Sequence, residues 1–186
     1  MRIIAGKHRG LALEPPEGDA IRPTSDRARQ ALFNILEHRF GLGEASPLHG
    51  AAVLDVFCGS GALGLEALSR GALRCTFIDD NAAALALTER NVRRAKETAT
   101  SRFVRRDATR LPSAPDAATL AFLDPPYGEA LAEKALVALR DQGWLAPGAI
   151  VSVELGPRDR FEPPPGFELI DDRRYGKARI VLLRAT

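Results

Sequence analysis

Short apolar segments and helical segments alternate through the middle of the chain, between residues 52 and 153. Strands that are apolar along their whole length are buried on both faces, which is typical of a parallel sheet with helices packed on each side. This pattern predicts an α/β fold with a doubly wound, mostly parallel sheet. The predicted strands are 52–57, 75–78, 103–104, 119–123 and 149–153, and the predicted helices are 62–69, 82–96 and 129–142.

The C-terminal part of the chain departs from this alternation. Two further apolar segments, 167–170 and 178–183, are separated by too few residues for the helix that a parallel connection requires. We therefore expect them to pair as an antiparallel hairpin at one edge of the sheet. With the five strands of the alternating region, this hairpin brings the predicted sheet to seven strands.

The N-terminal part of the chain predicts a small appendage. Segments 2–4 and 11–13 flank a glycine-containing turn, which is the pattern of a short β-hairpin. A helix follows, with Thr24 or Ser25 as its N-cap and with an apolar face that predicts docking on a larger body. The chain is accordingly divided into an N-terminal hairpin and helix, residues 1–45, and a main domain, residues 46–186.

Composition restricts the class of protein. Of the 186 residues, 45% are hydrophobic and 27% are charged, which is the balance of a soluble globular domain. No stretch approaches the roughly 20 consecutive apolar residues that span a bilayer, and the first residues lack the apolar segment of a secretory signal. The two cysteines, Cys58 and Cys75, form no Cys-x-x-Cys pair, so neither a disulfide scaffold nor a structural zinc site is expected. These features favour a cytoplasmic protein without a bound metal.

The first predicted strand leads directly into a Gly-x-Gly-x-x-Gly sequence at the start of a helix. Gly59 permits the sharp turn, Gly61 allows a ligand to approach the backbone, and Gly64 lets the helix pack closely on the strand. This arrangement is typical of a nucleotide-binding site and is compatible with a dinucleotide or with S-adenosylmethionine. The alternative is a tight turn that binds no ligand.

Two carboxylates follow the next predicted strands at the same edge of the sheet. Asp79 comes about 20 residues after Gly59, the spacing at which an acid accepts hydrogen bonds from ribose hydroxyls. Asp107 follows the third strand, where it can accept a hydrogen bond from an adenine amino group. The alternatives are that Asp79 caps the following helix and that Asp107 is a loop residue paired with Arg105, Arg106 or Arg110.

The fourth predicted strand ends in the sequence Asp124-Pro125-Pro126-Tyr127. Open α/β sheets bind ligands at the carboxyl ends of their strands, and two prolines stiffen the turn from which Asp124 projects. Such a turn offers hydrogen-bond acceptors, which suit the two hydrogens of an exocyclic amine, and Tyr127 can stack on a base for about 1–3 kcal/mol. Held in this way, the nitrogen directs its lone pair at a methyl carbon. The alternative is a rigid turn with a packed tyrosine.

These motifs together resemble a known family. Residues 55–71, DVFCGSGALGLEALSRG, and residues 124–127, DPPY, are similar to the methyl-donor and catalytic motifs of Rossmann-like amino-methyltransferases. Residues 2–6, RIIAG, and 22–34, RPTSDRARQALFN, narrow the resemblance to the RsmD family, and it covers essentially the whole chain. The resemblance implies methylation of the N2 amine of one guanine, guanine 966 in the family, in the 16S rRNA of the bacterial small ribosomal subunit.

The resemblance also implies a fold, a cofactor and a set of site residues. The fold is a seven-stranded Rossmann-like methyltransferase sheet, and the methyl donor is S-adenosylmethionine. Asp55 is implied at the methionine end of the donor, Asp79 at its ribose and Asp107 near its adenine. The implied cofactor-binding residues are Asp55, Gly59, Ser60, Gly61, Gly64, Asp79 and Asp107, and the implied catalytic residues are Asp124, Pro125, Pro126 and Tyr127.

The distribution of charge is compatible with an RNA partner, although the formal net charge is only +2. Basic residues cluster in the first ten residues, in 90–110 and in 173–184, and such clusters either bind phosphates or form solvated surfaces. The resemblance implies 16S rRNA, within an assembled or partly assembled 30S subunit, as the partner. A monomer is expected, because the sequence shows no obvious surface for association. The residues implied in RNA binding are Arg2, Lys7, Arg9 and Arg22.

Three other functions share part of this pattern. A DNA adenine-N6 methyltransferase would use the same Asp-Pro-Pro-Tyr sequence, but the chain has no room for a separate target-recognition domain. An NAD-dependent dehydrogenase would account for the glycines and Asp79, but it leaves residues 124–127 without a role, and no catalytic histidine or tyrosine–lysine pair is evident. A non-enzymatic RNA-binding module would use the basic clusters alone.

Overall fold

A seven-stranded sheet organises the computed structural model, which describes residues 1–16, 26–41, 46–126 and 130–186. In chain order the strands are β1 (Ala52–Val56), β2 (Arg74–Asp79), β3 (Ser101–Arg105), β4 (Ala118–Leu123), β5 (Leu145–Leu155), β6 (Phe167–Tyr175) and β7 (Ala178–Ala185). Their order across the sheet is β3-β2-β1-β4-β5-β7-β6. The strands from β3 to β5 are parallel, and β7 and β6 add an antiparallel hairpin at the edge. The predicted doubly wound sheet and C-terminal hairpin are confirmed.

Helices cover both faces of this sheet. Three of them, α1 (Asp26–Phe40), α2 (Ala62–Ser69) and α3 (Ala82–Arg94), lie on one face, and α4 (Leu131–Asp141) lies on the other. Side chains alternate across a strand, so β1 contributes to both layers. Val53 belongs to the core beneath the first three helices, whereas Leu54 and Val56 belong to the core beneath α4.

The direction of strand addition reverses at β1. The chain first adds β2 and β3 on one side of β1 and then crosses to add β4 on the other side. In the parallel registers Val56 pairs with Ile78 of β2 and with Leu123 of β4, so these three strands end at the same level. Ligands of open α/β sheets bind outside the carboxyl ends of the strands at such a reversal. The loops after β1, β2 and β4 therefore form the place where a site is expected.

The N-terminal residues form the predicted hairpin, which lies on the helix layer. Ile3 N donates a hydrogen bond to Leu11 O at 3.0 Å, and a single antiparallel bridge pairs Arg2 with Ala12. Ile3 and Leu13 are buried in the same core as the apolar faces of α1 and α2. The hairpin is thus packed on the helix layer of the fold.

Polar side chains of α2 hold this hairpin in place. The fully buried Glu66 carboxylate accepts hydrogen bonds from Ile4 N at 2.7 Å and from Ala5 N at 3.0 Å. Ser69 Oγ, on the last residue of α2, accepts a hydrogen bond from His8 N at 2.9 Å. Because α2 runs from the carboxyl end of β1 back toward the amino end of β2, the turn of the hairpin lies toward the amino ends of the strands.

Two element boundaries differ from the predicted ones because a residue takes a left-handed conformation. β1 ends at Val56 and not at residue 57, since Phe57 has a φ of 60°. α3 ends at Arg94 and not at residue 96, since Lys96 also has a φ of 60°. Neither a strand nor a right-handed helix accommodates that angle.

Other boundaries follow the pairing of the sheet. β3 is longer than the predicted 103–104, because its register with β2 continues through Ser101 and Arg105 at its two ends. Thr24 and Ser25, the predicted caps of α1, and residue 129, the predicted start of α4, lie outside the described residues. Within the described ranges, no helix has the length and apolar character needed to cross a membrane.

Candidate active site

The turn between β1 and α2 contains backbone in an unusual conformation. Phe57, Gly59 and Gly61 have φ values of 60°, 54° and 75°, in the left-handed region that favours glycine. The backbone amide of Cys58, within this turn, donates a hydrogen bond to Ile78 O of β2 at 3.1 Å. This bond holds the turn against β2. A non-glycine residue in this region stores strain, which proteins concentrate at functional sites.

The three glycines of this turn are required for different reasons. A Cβ on Gly59 would meet no atom closer than 4.0 Å, so this side of the turn is open. A Cβ on Gly64 would lie 2.6 Å from Cys75 Sγ, so this glycine lets α2 pack closely on the sheet, as predicted. The structure gives Gly61 a reason other than the predicted approach of a ligand. Its Cβ would lie 2.7 Å from Thr88 Cγ2, and glycine is needed there for packing against α3.

Asp55 is a buried carboxylate within β1. Its side chain lies behind the glycine turn, where Oδ2 accepts a hydrogen bond from Gly64 N at 2.8 Å. Burial raises the pKa of Asp55 well above its usual range, against the effect of that hydrogen bond, and the carboxylates of Asp124 and Asp79 raise it further. The three acids therefore belong to one electrostatic environment at the carboxyl ends of β1, β2 and β4.

Asp79, the last residue of β2, joins the glycine turn to the start of α3. Its Oδ2 accepts a hydrogen bond from Gly59 N at 3.0 Å, and its Oδ1 accepts one from Asn81 N at 2.9 Å. Burial raises the pKa of Asp79, although these hydrogen bonds oppose the effect. The N-cap of α3 is Asn81, whose side chain accepts from Ala83 N at 2.8 Å. The alternative role of Asp79 as the helix cap is therefore wrong.

Asp107 lies in the loop after β3, beside the end of β2. The residue before it is fixed there, because Arg106 N donates a hydrogen bond to Asp79 O at 3.1 Å. The Asp107 carboxylate accepts hydrogen bonds from Thr109 Oγ1 at 2.7 Å and from Thr109 N at 2.8 Å, and these bonds lower the pKa of Asp107. Its hydrogen-bond partner is thus a threonine and not the arginine of the alternative prediction, while Arg110 contributes an electrostatic effect of the same sign.

The turn that follows β4 and begins at Asp124, called here the acidic turn, adjoins the glycine turn between β1 and α2. Asp124 N donates a hydrogen bond to Val56 O at 3.3 Å, so the turn begins directly beside the end of β1. Asp124 is half-buried, Pro125 is buried and Pro126 is exposed, which keeps the acid at the carboxyl edge of the sheet on a stiff backbone. Tyr127, predicted to stack on the substrate base, lies outside the described residues.

The acids at this edge are engaged by backbone amides. Asp55 bonds to the first turn of α2, and Asp79 bonds to the glycine turn and to the start of α3. In the part of the chain that the structure describes, no group of three or more histidines, cysteines, aspartates or glutamates could hold a metal ion. The arrangement offers hydrogen-bond acceptors to a polar organic ligand.

Most residues predicted to contact RNA lie away from this edge. Lys7 Nζ lies 2.5 Å from Glu97 Oε1, at a cleft of about 520 Å³ between the hairpin turn and the end of α3. Arg9 lines the same cleft, and Arg2 donates a hydrogen bond to Gly10 O at 3.0 Å. Arg22 lies outside the described residues. The structure thus brings the described residues that were predicted for donor binding and catalysis to one edge of the sheet, and it places the hairpin turn at the far end of α2.

The C-terminal basic cluster reaches the same edge as the acidic turn. β7 pairs with β5 so that Arg179 lies opposite Leu155, the last residue of β5. The turn between β6 and β7, which carries Lys177, therefore lies beyond the carboxyl end of β5. Part of the cluster is ion-paired, since Arg179 Nη2 lies 2.6 Å from Asp172 Oδ2.

Two residues that touch the glycine turn were not predicted. Thr88 and Asn91 on α3 are fully buried, and each donates a hydrogen bond to a carbonyl of the turn. The sequence carries a signal for them, because residues 85, 88, 91 and 92 have the spacing of a buried helix face. A polar residue on such a face needs a hydrogen-bond partner, and here the partner is the turn.

Comparisons with known proteins identify the family. A sequence model of the family described as Conserved hypothetical protein 95 matches residues 1–184. Ribosomal RNA small subunit methyltransferase D of Escherichia coli (strain K12) is 39% identical over 155 residues, which cover 83% of this chain and 74% of that protein. The chain belongs to the RsmD family. Membership of this methyltransferase family implies a methyl donor.

Two further comparisons agree with this family. Ribosomal RNA small subunit methyltransferase D of Haemophilus influenzae is 32% identical over 180 residues, which cover 95% of this chain and 89% of that protein. The solved structure of the Escherichia coli protein yhhF matches with a TM-score of 0.82 and 34% identity, and the match covers 100% of this chain and 97% of that one. The Rossmann-like methyltransferase fold expected for the RsmD family is therefore confirmed.

Proposed function

We propose that this protein transfers a methyl group from S-adenosylmethionine to the N2 amine of a guanine in 16S rRNA, guanine 966 in the family. The proposed substrate is an assembled or partly assembled 30S subunit in the cytoplasm, and the proposed enzyme is a monomer. One observation carries the proposal. The hydrogen bond from Asp124 N to Val56 O joins the acidic turn after β4 to the glycine turn after β1. Two relatives of this chain are named ribosomal RNA small subunit methyltransferase D, which supports the proposal.

The glycine turn and the acids beside it fit a nucleoside-containing donor. The open side of Gly59 leaves room against the backbone. Each oxygen of Asp79 accepts one backbone hydrogen bond and keeps a further lone pair, which a ribose hydroxyl can use. Asp107 follows β3 on the next strand along, where an adenine would extend from that ribose. When bound, S-adenosylmethionine supplies an electrophilic methyl group on a sulfonium sulfur.

The acidic turn fits the amine that receives the methyl group. Pro125 and Pro126 have no backbone N–H, so the turn offers carbonyl and carboxylate acceptors without competing donors. An exocyclic guanine amine has two hydrogens and a lone pair that is delocalised into the ring. In the proposed mechanism, Asp124 and a neighbouring carbonyl accept those hydrogens, which favours a pyramidal nitrogen aimed at the donor. Positioning then supplies most of the rate enhancement, and the proton leaves to Asp124 or to water.

We also propose two regions of contact with the RNA. The target base must leave its stack, which costs a few kcal/mol, and surrounding phosphate contacts offset that cost. Lys177 and its neighbours lie at the edge where the target base would enter. Lys7 and Arg9 lie at the far end of α2 and would contact RNA that extends beyond the target. Arg2 and Arg22 complete the proposed RNA-binding residues.

Replacement of Asp124 by alanine tests the proposal. We expect methyl transfer to 30S particles to fall by about 10² to 10³-fold, because the amine loses its charged acceptor in the transition state. Donor binding should change little, since the glycine turn, Asp79 and Asp107 remain. Transfer of labelled methyl groups and calorimetry with S-adenosylmethionine measure the two effects. The matched control is Asp141→Ala, an exposed acid at the end of α4.

The same assay separates the proposal from its rivals. Wild-type transfer to duplex DNA in preference to 16S rRNA or 30S particles would favour an adenine methyltransferase. Failure of the wild-type protein to bind S-adenosylmethionine would favour a binding module without this activity. Near wild-type transfer by the Asp124→Ala variant would overturn the role given to that acid.

A further inference from the structure

We propose that Thr88 and Asn91 of α3 are positioning residues for the methyl donor, and that Asn91 makes donor affinity depend on the docked N-terminal hairpin. The inference rests on the proposed function, because it assumes that the glycine turn binds the donor. Both side chains are fully buried and are not among the residues that the family resemblance implies. Their role would be exerted through the backbone of the turn.

Thr88 anchors a backbone carbonyl within the glycine turn. Its Oγ1 donates a hydrogen bond to Gly59 O at 2.9 Å and lies 3.5 Å from Cys58 Sγ. Its methyl group fills the space beside Gly61, where a Cβ would lie 2.7 Å from Thr88 Cγ2. One side chain therefore fixes both the direction of a carbonyl and the packing of the next glycine.

Asn91 joins the turn to the end of the hairpin. Its Nδ2 donates hydrogen bonds to Ser60 O at 3.0 Å and to Glu14 O at 3.1 Å, and its Oδ1 accepts one from Glu14 N at 2.8 Å. Both hydrogens of the amide and its oxygen are thus engaged. The same side chain holds the chain that leaves the hairpin and the turn that is proposed to bind the donor.

These hydrogen bonds set the direction of the backbone amides in the turn. The carbonyl and the N–H of one trans peptide unit point in opposite directions. Because Thr88 holds the Gly59 carbonyl toward α3, the Ser60 N–H of that peptide is directed away from α3. Loss of either anchor would let these peptide units rotate in the free protein. Donor binding would then have to order them, which lowers the net free energy of binding. We therefore expect donor binding to weaken while the fold persists.

Substitutions of similar shape test the two anchors. Thr88→Val removes the hydroxyl and keeps the branched shape, whereas Thr88→Ser keeps the hydroxyl. Asn91→Asp keeps the shape but presents carboxylate oxygen to the carbonyls of Ser60 and Glu14. We expect Thr88→Val and Asn91→Asp to raise the dissociation constant of S-adenosylmethionine about tenfold, and Thr88→Ser to leave it within about twofold. The KM for the donor should rise in parallel, with kcat nearly unchanged.

A control on the same helix separates positioning from stability. Val92 is fully buried beside Asn91 but makes no hydrogen bond to the turn, so Val92→Ala should lower the melting temperature without changing donor affinity. Amide hydrogen exchange at Leu13, whose N–H donates to Met1 O at 3.1 Å, reports on the hairpin. We expect faster exchange at Leu13 in Asn91→Asp and unchanged exchange in Thr88→Val.

The outcomes distinguish this inference from the proposed function. Wild-type donor affinity in both Thr88→Val and Asn91→Asp, in protein that binds S-adenosylmethionine, would overturn the inference and leave the function intact. Equal loss of affinity in Val92→Ala would also overturn it, because general destabilisation would then explain the effect. Weaker donor binding by Asn91→Asp without faster exchange at Leu13 would overturn the link to the hairpin. Absence of donor binding by the wild-type protein would instead refute the proposed function.

Discussion

The two hairpins of this molecule are attached to the rest of the fold in different ways. The C-terminal hairpin extends the sheet, and β7 pairs with β5 along a continuous register from Ile150 to Leu155. The N-terminal hairpin has one β-bridge of its own and is held on the helix layer by side chains, chiefly those of Glu66, Ser69 and Asn91. One attachment is made by backbone and the other by a few buried polar groups.

This difference determines how each hairpin responds to substitution. The hydrogen bonds of a β-ladder join backbone groups. The ladder therefore persists when a single side chain is changed. A buried carboxylate or amide that satisfies several partners is different, since its removal leaves each of them without a hydrogen bond in a place that water does not reach. We therefore expect single substitutions to loosen the N-terminal hairpin and to leave the C-terminal one in place.

Glu66→Ala should produce the largest effect. The buried carboxylate accepts from the Ile4 and Ala5 amides and contacts Arg70 Nε at 2.8 Å and Arg29 Nε at 3.9 Å. Its removal leaves the two amides without their acceptor and takes one of two described carboxylate partners from each of the buried arginines, which keep Asp26 and Glu37. We expect a loss of about 3–5 kcal/mol in the free energy of unfolding by urea.

A matched substitution in the other hairpin provides the comparison. Glu168 of β6 is exposed and lies 3.8 Å from Arg184, so Glu168→Ala should cost less than about 1 kcal/mol. Equal losses for Glu66→Ala and Glu168→Ala would show that the two hairpins do not differ in the way described.

Alanine at one turn glycine of each hairpin should give a smaller but clear contrast. Gly6 and Gly176 have φ values of 79° and 62°, so either substitution costs about 1 kcal/mol through the left-handed conformation alone. A Cβ on Gly6 would also overlap the backbone carbonyl of Ser69, whereas a Cβ on Gly176 would meet nothing within 4 Å. We expect Gly6→Ala to cost about 2–3 kcal/mol and Gly176→Ala about 1 kcal/mol in thermal unfolding. A cost for Gly176→Ala as large as that for Gly6→Ala would contradict this account.

The sequence predicted the C-terminal hairpin better than the attachment of the N-terminal one. The two apolar segments 167–170 and 178–183 and the short connection between them are local signals, and β6 and β7 contain these segments, although β6 continues to Tyr175. The anchors of the N-terminal hairpin join residues far apart in the chain, as from Ile4 to Glu66. Nothing in the local pattern around Glu66 indicates that its carboxylate is fully buried, since a charged residue on a helix is most often exposed.

The candidate site shows the same limit. Its acids and glycines were predicted because their order along strands and turns is visible in the sequence. The structure assigns Gly61 to packing against Thr88 and gives Asp107 a threonine partner, because both depend on neighbours from other elements. Thr88 and Asn91 were missed for the same reason. A buried polar residue on a helix is visible from its spacing, but its hydrogen-bond partner is not.

The smallest expected difference between the two hairpins is in the pH dependence of stability, through one carboxyl group at each hairpin. Burial by itself would raise the pKa of Glu97, but hydrogen bonds from Lys7, Thr100 and His8 outweigh it and lower the pKa. A hydrogen bond from Arg179 lowers the pKa of Asp172 in the C-terminal hairpin. A carboxyl whose pKa is lower in the folded state stabilises the fold above its unfolded pKa, about 4, and this contribution is lost as the pH falls through the folded value.

Glu97→Gln and Asp172→Asn measure these contributions. At pH 7 we expect Glu97→Gln to lower the free energy of unfolding by about 1 kcal/mol, because the buried carboxylate accepts hydrogen bonds from Lys7, His8 and Thr100. Asp172→Asn should lower it by less, since Asp172 is more exposed than Glu97 and its ion pair is partly screened by solvent. Both differences from wild type should shrink as the pH falls below about 4 in urea titrations. A Glu97→Gln difference that stayed constant down to acid pH would mean that the ionised carboxylate does not hold the N-terminal turn.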